Sequence, residues 1–257
     1  MSRYAVITGA SAGLGVEFAK RLSKKGYKLI LVARREERLK KLAAHLKTEC
    51  EVISADLGKE EECHRVWEQI KDKEIEIFVN NAGFGGCGSF VESDLERELN
   101  MVQVNVKAVH LFTKLALRKM QKKDKGYILN VASSAGFMAG PKLSTYYSTK
   151  NYVLRQSLAI YEELRHMKSN VKISVLCPGP VETNFNNVAG GSFNTKSASS
   201  EYVAKLAIDK MFKNKLIIVP TIKIKLAIFL TRLVPTKLLL KINYHIQNTK
   251  IKKYNEN

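Results

Sequence analysis

YAVITGASAGLG, residues 4–15, runs an apolar, β-branched stretch straight into a turn with glycines at 9, 13 and 15. An uninterrupted run such as YAVIT reads as a strand covered on both faces. The glycines let the chain turn tightly and bring its backbone close to a ligand. A helix opening at the end of such a turn offers free N–H groups and the positive end of its dipole, which together favour a pyrophosphate. The spacing is GxxxGxG, not the more widely known GxGxxG. Alone it fits a plain tight turn as well, so its weight comes from standing between a strand and a helix.

The same rhythm continues. Further strand candidates are KLILVAR (28–34), EVISADL (51–57), IEIFVNN (75–81), GYILNVAS (126–133), VKISVLCP (171–178) and KLIIVP (215–220). Charged helical stretches lie between them at 13–25, 36–47, 59–71, 94–119 (read as two helices) and 144–168. Alternation of this kind predicts an α/β, Rossmann-type, doubly wound parallel sheet. The 257 residues suffice for one such domain, and an apolar fraction of 45% supports a full core. The opening residues show no leader pattern, so a cytoplasmic protein is expected. Four scattered cysteines without a CxxC pair and five histidines without ligand spacing point to no metal site.

Two segments break the rhythm. Residues 184–200, NFNNVAGGSFNTKSASS, are rich in Gly, Asn and Ser and read as a mobile loop opening onto a helix near 201–212. Residues 221–247 are apolar but interrupted by Lys223, Lys225, Arg232 and Lys237, too often for a spanning helix. Pro235 should split them into two helices, and the last ten residues should fray. The net charge is +19, and residues 213–257 hold ten Lys/Arg against one acid, Glu256.

Chemistry concentrates at a few positions. Arg34 and Arg35 follow the second strand, where an acid would hold the free ribose diol of NAD(H). A guanidinium there can fork onto a 2′-phosphate, which favours NADP(H). In STYYSTK (144–150), Tyr146 and Tyr147 both share a helix face with Lys150.

From residue 4 to about 220 the chain resembles the short-chain dehydrogenase/reductase family. The motifs carrying the resemblance are TGASAGLG (8–15), NNAG (80–83), the Asn of VQVNVKA, NVASSAG (130–136), and YYSTK (146–150) with CPGPVETNF (177–185). That pattern requires YxxxK, which Tyr146 and Lys150 satisfy and Tyr147 does not. A serine thirteen residues earlier is Ser133, preferred over Ser134. The resemblance implies that Tyr146 is the proton donor and that Ser133 hydrogen-bonds the reacting oxygen. A neighbouring ammonium, together with the oxidised nicotinamide in the reverse direction, favours phenolate and lowers the phenol pKa. The resemblance further implies that Lys150 binds the nicotinamide ribose, that Asn105 holds a water in a proton relay, and that residues 184–200 cover the substrate as a flexible lid. Phe185 and Phe193 of that lid then suggest a substrate with a hydrophobic portion, or pack inward instead. Read without the resemblance, Asn105 is equally a helix-breaking polar residue satisfied by backbone. Tyr147 becomes a packing or pocket-wall residue. For the cofactor it implies contacts from Gly9, Ser11, Gly13, Leu14 and Gly15; Asp56 and Leu57 at adenine; Asn81, Ala82 and Gly83 along the cleft; and Pro178, Gly179, Val181 and Thr183 at the nicotinamide. A dimer or tetramer is the usual assembly.

The expectation is an NADPH-dependent carbonyl reductase, equivalently an NADP-linked alcohol dehydrogenase. Residues 1–220 form its catalytic domain, and residues 221–257 a basic amphipathic extension of that domain. The substrate is a small carbonyl or alcohol, with 3-oxoacyl, steroid-like and simpler ketones all open. The rivals are a cofactor-binding regulator without turnover and a membrane-peripheral lipid-pathway reductase. For the tail, packing over the site, subunit contact and membrane-surface contact all stand open; nucleic acid is disfavoured, since no recognition module accompanies the lysines.

Overall fold

The computed structural model describes residues 3–183 and 197–255. Its main sheet has seven parallel strands: β1 (Tyr4–Thr8), β2 (Lys28–Ala33), β3 (Cys50–Ser54), β4 (Ile75–Asn80), β5 (Gly126–Val131), β6 (Val171–Leu176) and β9 (Ile217–Ile218). Their spatial order is β3-β2-β1-β4-β5-β6-β9, so the order reverses between β1 and β4. Doubly wound sheets bind ligands at such a reversal, in the crevice beyond the C-terminal strand ends. Two short strands, β7 (Val181–Glu182) and β8 (Ala198–Ser199), pair separately.

Successive strand residues feed opposite layers, as the pleat requires. Ala5, Ile7, Leu29, Leu31, Ile77, Val79 and Leu129 face α1 (Leu14–Lys24), α2 (Glu36–Ala44) and α7 (Ser200–Phe212) through Phe18, Leu22, Leu39 and Met211. Val6, Ile30, Val32, Phe78 and Ile128 face α3 (Glu60–Ile70), α5 (Val109–Gln121) and α6 (Ser144–His166) through Val66, Ile70, Phe112 and Leu164. Both faces are covered, which is why these strands read as unbroken apolar runs.

Several boundaries differ from the sequence expectation. The stretch 94–119 is not two separate helices. α4 (Leu95–Val102) runs through a π-helical turn (Gln103–Ala108) directly into α5, the wider turn holding the buried Asn105. β5 stops at Val131, leaving Ser133 beyond the strand end, and β9 pairs with β6 over only two residues. The residues after 220 form α8 (Ile222–Thr231) and α9 (Thr236–Asn255), parted at Pro235 as expected, but α9 continues through Asn255 where fraying was expected. Of the expected lid, 184–196, with Phe185 and Phe193, lie outside the described residues; its end forms β8 and the Ser199 cap of α7.

A buried polar network fixes α5 and α6 on the sheet. Asn80 Nδ2 donates to Asn130 Oδ1 (2.9 Å) and Thr113 Oγ1 (3.1 Å), and Asn130 Nδ2 donates to Ser157 Oγ (3.0 Å). Removing one member leaves others buried without partners. Asn130→Ala should therefore lower unfolding free energy by about 2–3 kcal/mol in urea titration. A loss below about 0.5 kcal/mol would show that the network does not tie these layers together.

Candidate active site

The helix α6 begins at the C-terminal edge of the sheet, so its first turns carry Tyr146 and Lys150 to the crevice mouth. Lys150 is buried, and its Nζ donates to Val131 O at 3.0 Å. That bond anchors the ammonium to the last residue of β5. Two residues further, Ser133 lies close enough to the Tyr146 side chain to pull its pKa down; its Oγ donates to Pro178 O at 3.5 Å and accepts from Ala135 N at 3.1 Å. Ser134 instead opens a 3-10 turn, its amide donating to Pro178 O at 2.8 Å. The chain thus brings Ser133, Tyr146 and Lys150 together.

Tyr147 has a different setting. Its ring packs edge-on to Tyr146 at 6.1 Å, and its hydroxyl accepts from Gln247 Nε2 at 2.7 Å. The neighbouring Asn243 donates to Ala139 O at 3.0 Å, so α9 clamps the segment leading into α6. Asn105 is fully buried. Its Nδ2 donates to Phe84 O (2.9 Å) and Thr149 Oγ1 (3.1 Å), while its Oδ1 accepts from Phe84 N (3.1 Å). The side chain thus ties the loop after β4 to α6, largely through the Phe84 backbone.

On the cofactor side, Gly9 and Gly13 hold φ of 66° and 53°, a region costly for other residues. Asn81 Nδ2 donates to Thr8 O (2.9 Å) and Gly9 O (3.2 Å), and Thr8 Oγ1 accepts from the amides of Asn81 and Ala82 (both 3.0 Å). Asn81 and Ala82 are therefore stitched to the glycine turn. A side chain at Gly83 would strike Asn105 Oδ1 at 2.9 Å, and one at Gly13 would strike Thr183 Cγ2 at the same distance. Pro178 and Val181 follow β6, and Gly179 lies beneath Ile224 of α8. Leu14 and Gly15 open α1, which has no side-chain cap at Gly13. Asp56 Oδ1 accepts from Gly58 N (3.0 Å), whereas the Leu57 side chain is spent in the core.

Arg35 Nη2 donates to Ser11 Oγ at 3.2 Å, beside the glycine turn. Burial, then the like charges of Arg38 and Arg34, pull its pKa below the ordinary guanidinium value. Crowded cations next to an uncapped helix N-terminus form a donor set short of an anion. The residues present therefore fit a phosphate-bearing cofactor.

A family model described as short chain dehydrogenase matches residues 3–191. The chain belongs to the short-chain dehydrogenase family. It is 32% identical over 183 residues to an uncharacterised oxidoreductase of Staphylococcus epidermidis, covering 70% of this chain and 79% of that one. A very-long-chain 3-oxoacyl-CoA reductase of Anas platyrhynchos is 31% identical over 212 residues, with 79% of this chain and 67% of the relative covered. Among solved structures, a short-chain dehydrogenase from Sphingobium yanoikuyae in complex with NADPH superposes with TM-score 0.81 and 27% identity over 86% of this chain and 89% of that one. One from Burkholderia phymatum in complex with NAD gives 0.80 at 23% identity over 88% and 92%, a likeness of fold. The protein is thus an oxidoreductase of CH–OH and C=O groups that works with a nucleotide cofactor.

The expectation of a lowered phenol pKa included a bound oxidised nicotinamide, and the chain by itself sets the starting point. In the chain alone the phenol of Tyr146 is not acidified: burial pushes it up to about 12, with only the Ser133 side chain pulling it down. Burial likewise pushes Lys150 down to about 8. Sequence reasoning also passed over Thr8, Arg38 and Cys87. Thr8 is the first residue of the TGASAGLG motif, and Arg38 follows the Arg34–Arg35 pair by three residues. Cys87 lies electrostatically close to both Tyr146 and Tyr147, by a cavity of about 120 Å³ that Cys87, Met101, Leu143 and Ser144 help line. Only its place in the loop after NNAG hinted at this. A larger cavity, about 610 Å³, lies at the opposite end of the sheet between Trp67, Glu74 and Arg118, holding none of these residues.

The lysine makes a testable prediction. Its folded pKa, about 8, lies below its ordinary 10.5, so between those values the unfolded chain binds more protons and stability rises with pH. Lys150→Met should therefore stabilise the cofactor-free protein at pH 7 by roughly 1–3 kcal/mol, net of the lost bond to Val131. In urea titrations that gain should vanish by pH ~11. Destabilisation at pH 7 would mean the ammonium is well solvated where it sits.

Proposed function

We propose that the protein is an NADPH-dependent carbonyl reductase, or in reverse an NADP-linked alcohol dehydrogenase. The observation that carries this is the joining of Ser133, Tyr146 and Lys150 at the crevice mouth, with Arg35 at the far end of the glycine turn. The Tyr146 hydroxyl gives its proton to a carbonyl oxygen as that oxygen gains negative charge. Ser133 Oγ stabilises the same oxygen with a hydrogen bond. Lys150, held by Val131 O, supplies positive charge that favours the phenolate left on Tyr146 once its proton has gone. A bound nicotinamide nucleotide supplies the hydride. In the same reading, Arg34 and Arg35, aided by Arg38, take the 2′-phosphate, and the uncapped end of α1 takes the pyrophosphate. Since its side chain is committed to Phe84 and Thr149, Asn105 joins a proton relay through its backbone carbonyl or the second lone pair of Oδ1.

Residues 1–220 form the catalytic unit in this proposal, and residues 221–257 an extension reaching Ala139 and Tyr147 through Asn243 and Gln247. The exposed Leu95, Leu99 and Val102 along α4 offer a face for a dimer or tetramer. Substrates with an apolar portion fit the reading, supported by the kinship to a 3-oxoacyl-CoA reductase.

Scored on a panel of ketones and aldehydes by NADPH consumption, Tyr146→Phe should lose at least about 10³-fold in kcat with NADPH affinity nearly unchanged, whereas Tyr147→Phe loses less than about tenfold. The opposite ranking would place the proton donor at Tyr147. Replacing Arg34 and Arg35 together by alanine should lower kcat/KM for NADPH by about 10²-fold and leave that for NADH within a few-fold. A parent enzyme already preferring NADH would refute the assignment of these arginines.

A further inference from the structure

The two C-terminal helices bury and expose the wrong side chains for a face that meets only water. On α8, Ile224 and Ile228 turn inward, Ile224 lying against Gly179. The opposite face presents Ile222, Leu226, Phe229, Leu230 and the following Leu233, exposed by 81%, 57%, 57%, 49% and 66%. Their spacing of four, three, one and three residues makes one continuous stripe. Lys223 borders it on one side, Lys225 and Arg232 on the other, all exposed. α9 is inverted outright: it buries the amides of Asn243 and Gln247 and exposes Leu238, Ile242 and Ile246.

We infer that α8 and the outer face of α9 dock onto an anionic lipid surface, with the apolar stripe in the acyl boundary and the flanking lysines and arginine at the headgroups. Charge selects this occupant. No acid stands between Asp209 and Glu256, and among the described residues Lys223, Lys225, Arg232, Lys237 and Lys241 pair with no carboxylate. A second copy would bring these same cations against one another, whereas a negatively charged bilayer neutralises them. Among the described residues no helix is long and apolar enough to cross a membrane, so the contact is interfacial. The docked face backs onto the candidate active site through Ile224 on Gly179 and Gln247 on Tyr147. The inference goes beyond the proposed reductase chemistry and is read without turnover.

The test is sedimentation of the full chain with vesicles of equimolar phosphatidylcholine and phosphatidylglycerol, against phosphatidylcholine alone. The protein should pellet with the mixed vesicles and stay in solution with the neutral ones. Lys223→Gln/Lys225→Gln/Arg232→Gln should lower partitioning about 10²-fold. Leu226→Gln/Phe229→Gln/Leu233→Gln should lower it at least about tenfold, with its thermal melt checked by circular dichroism. If that apolar variant misfolds, Ile222→Gln, at a position 81% exposed, takes its place and should still lower partitioning several-fold. Failure of the parent to pellet with mixed vesicles would overturn the inference. So would full binding by a folded apolar variant, which reduces the contact to charge attraction, or a dimer in sedimentation velocity that the apolar variant dissolves, which assigns the face to a second copy.

Discussion

A lysine ammonium withdrawn from water and held by the carbonyl of Val131 is the constraint around which the site is arranged. Burying that charge is unfavourable, and burial drags its pKa down to about 8. The position is kept by geometry: β5 ends where its last carbonyl faces the first turns of α6, and Ser133 emerges two residues later beside Tyr146. The polar network through Asn130 and Ser157 sets α6 on the sheet and so sets that geometry.

Much of the fold was legible because strands covered on both faces leave little ambiguity. KLILVA and IEIFVN could hardly be anything but buried parallel strands, and the glycines at 9 and 13 sit where the backbone turns left-handed. Element junctions were harder to read. The π-helical turn at 103–108 leaves no signature in side-chain periodicity, since the polar Asn105 reads equally as a helix break or as a side chain turned inward to bind backbone.

At the site, motif spacing located Tyr146, Lys150 and Ser133, which the chain brings together, but spacing carries no information on burial. The acidified phenol was expected with the oxidised nicotinamide bound, and burial, which spacing does not reveal, holds Tyr146 near 12 in the chain alone. Contacts distant in sequence were equally hidden: Gln247 reaches Tyr147 across a separation of 100 residues, and nothing local to α9 announces it. The inverted helix itself was invisible for the same reason, since which face is inward depends on what Asn243 and Gln247 meet.

The central claim is that a buried phenol becomes a proton donor only when positive charge is assembled around it. An NMR titration of tyrosines labelled at Cζ, with and without NADP⁺ and with Tyr146→Phe used to assign the resonance, tests it most directly. The account predicts an apparent pKa for Tyr146 near 12 in the free protein and a fall of at least about two units on saturation with the nucleotide. A value unmoved by the nucleotide would contradict it, because the hydroxyl could then not exchange its proton with a substrate near neutral pH.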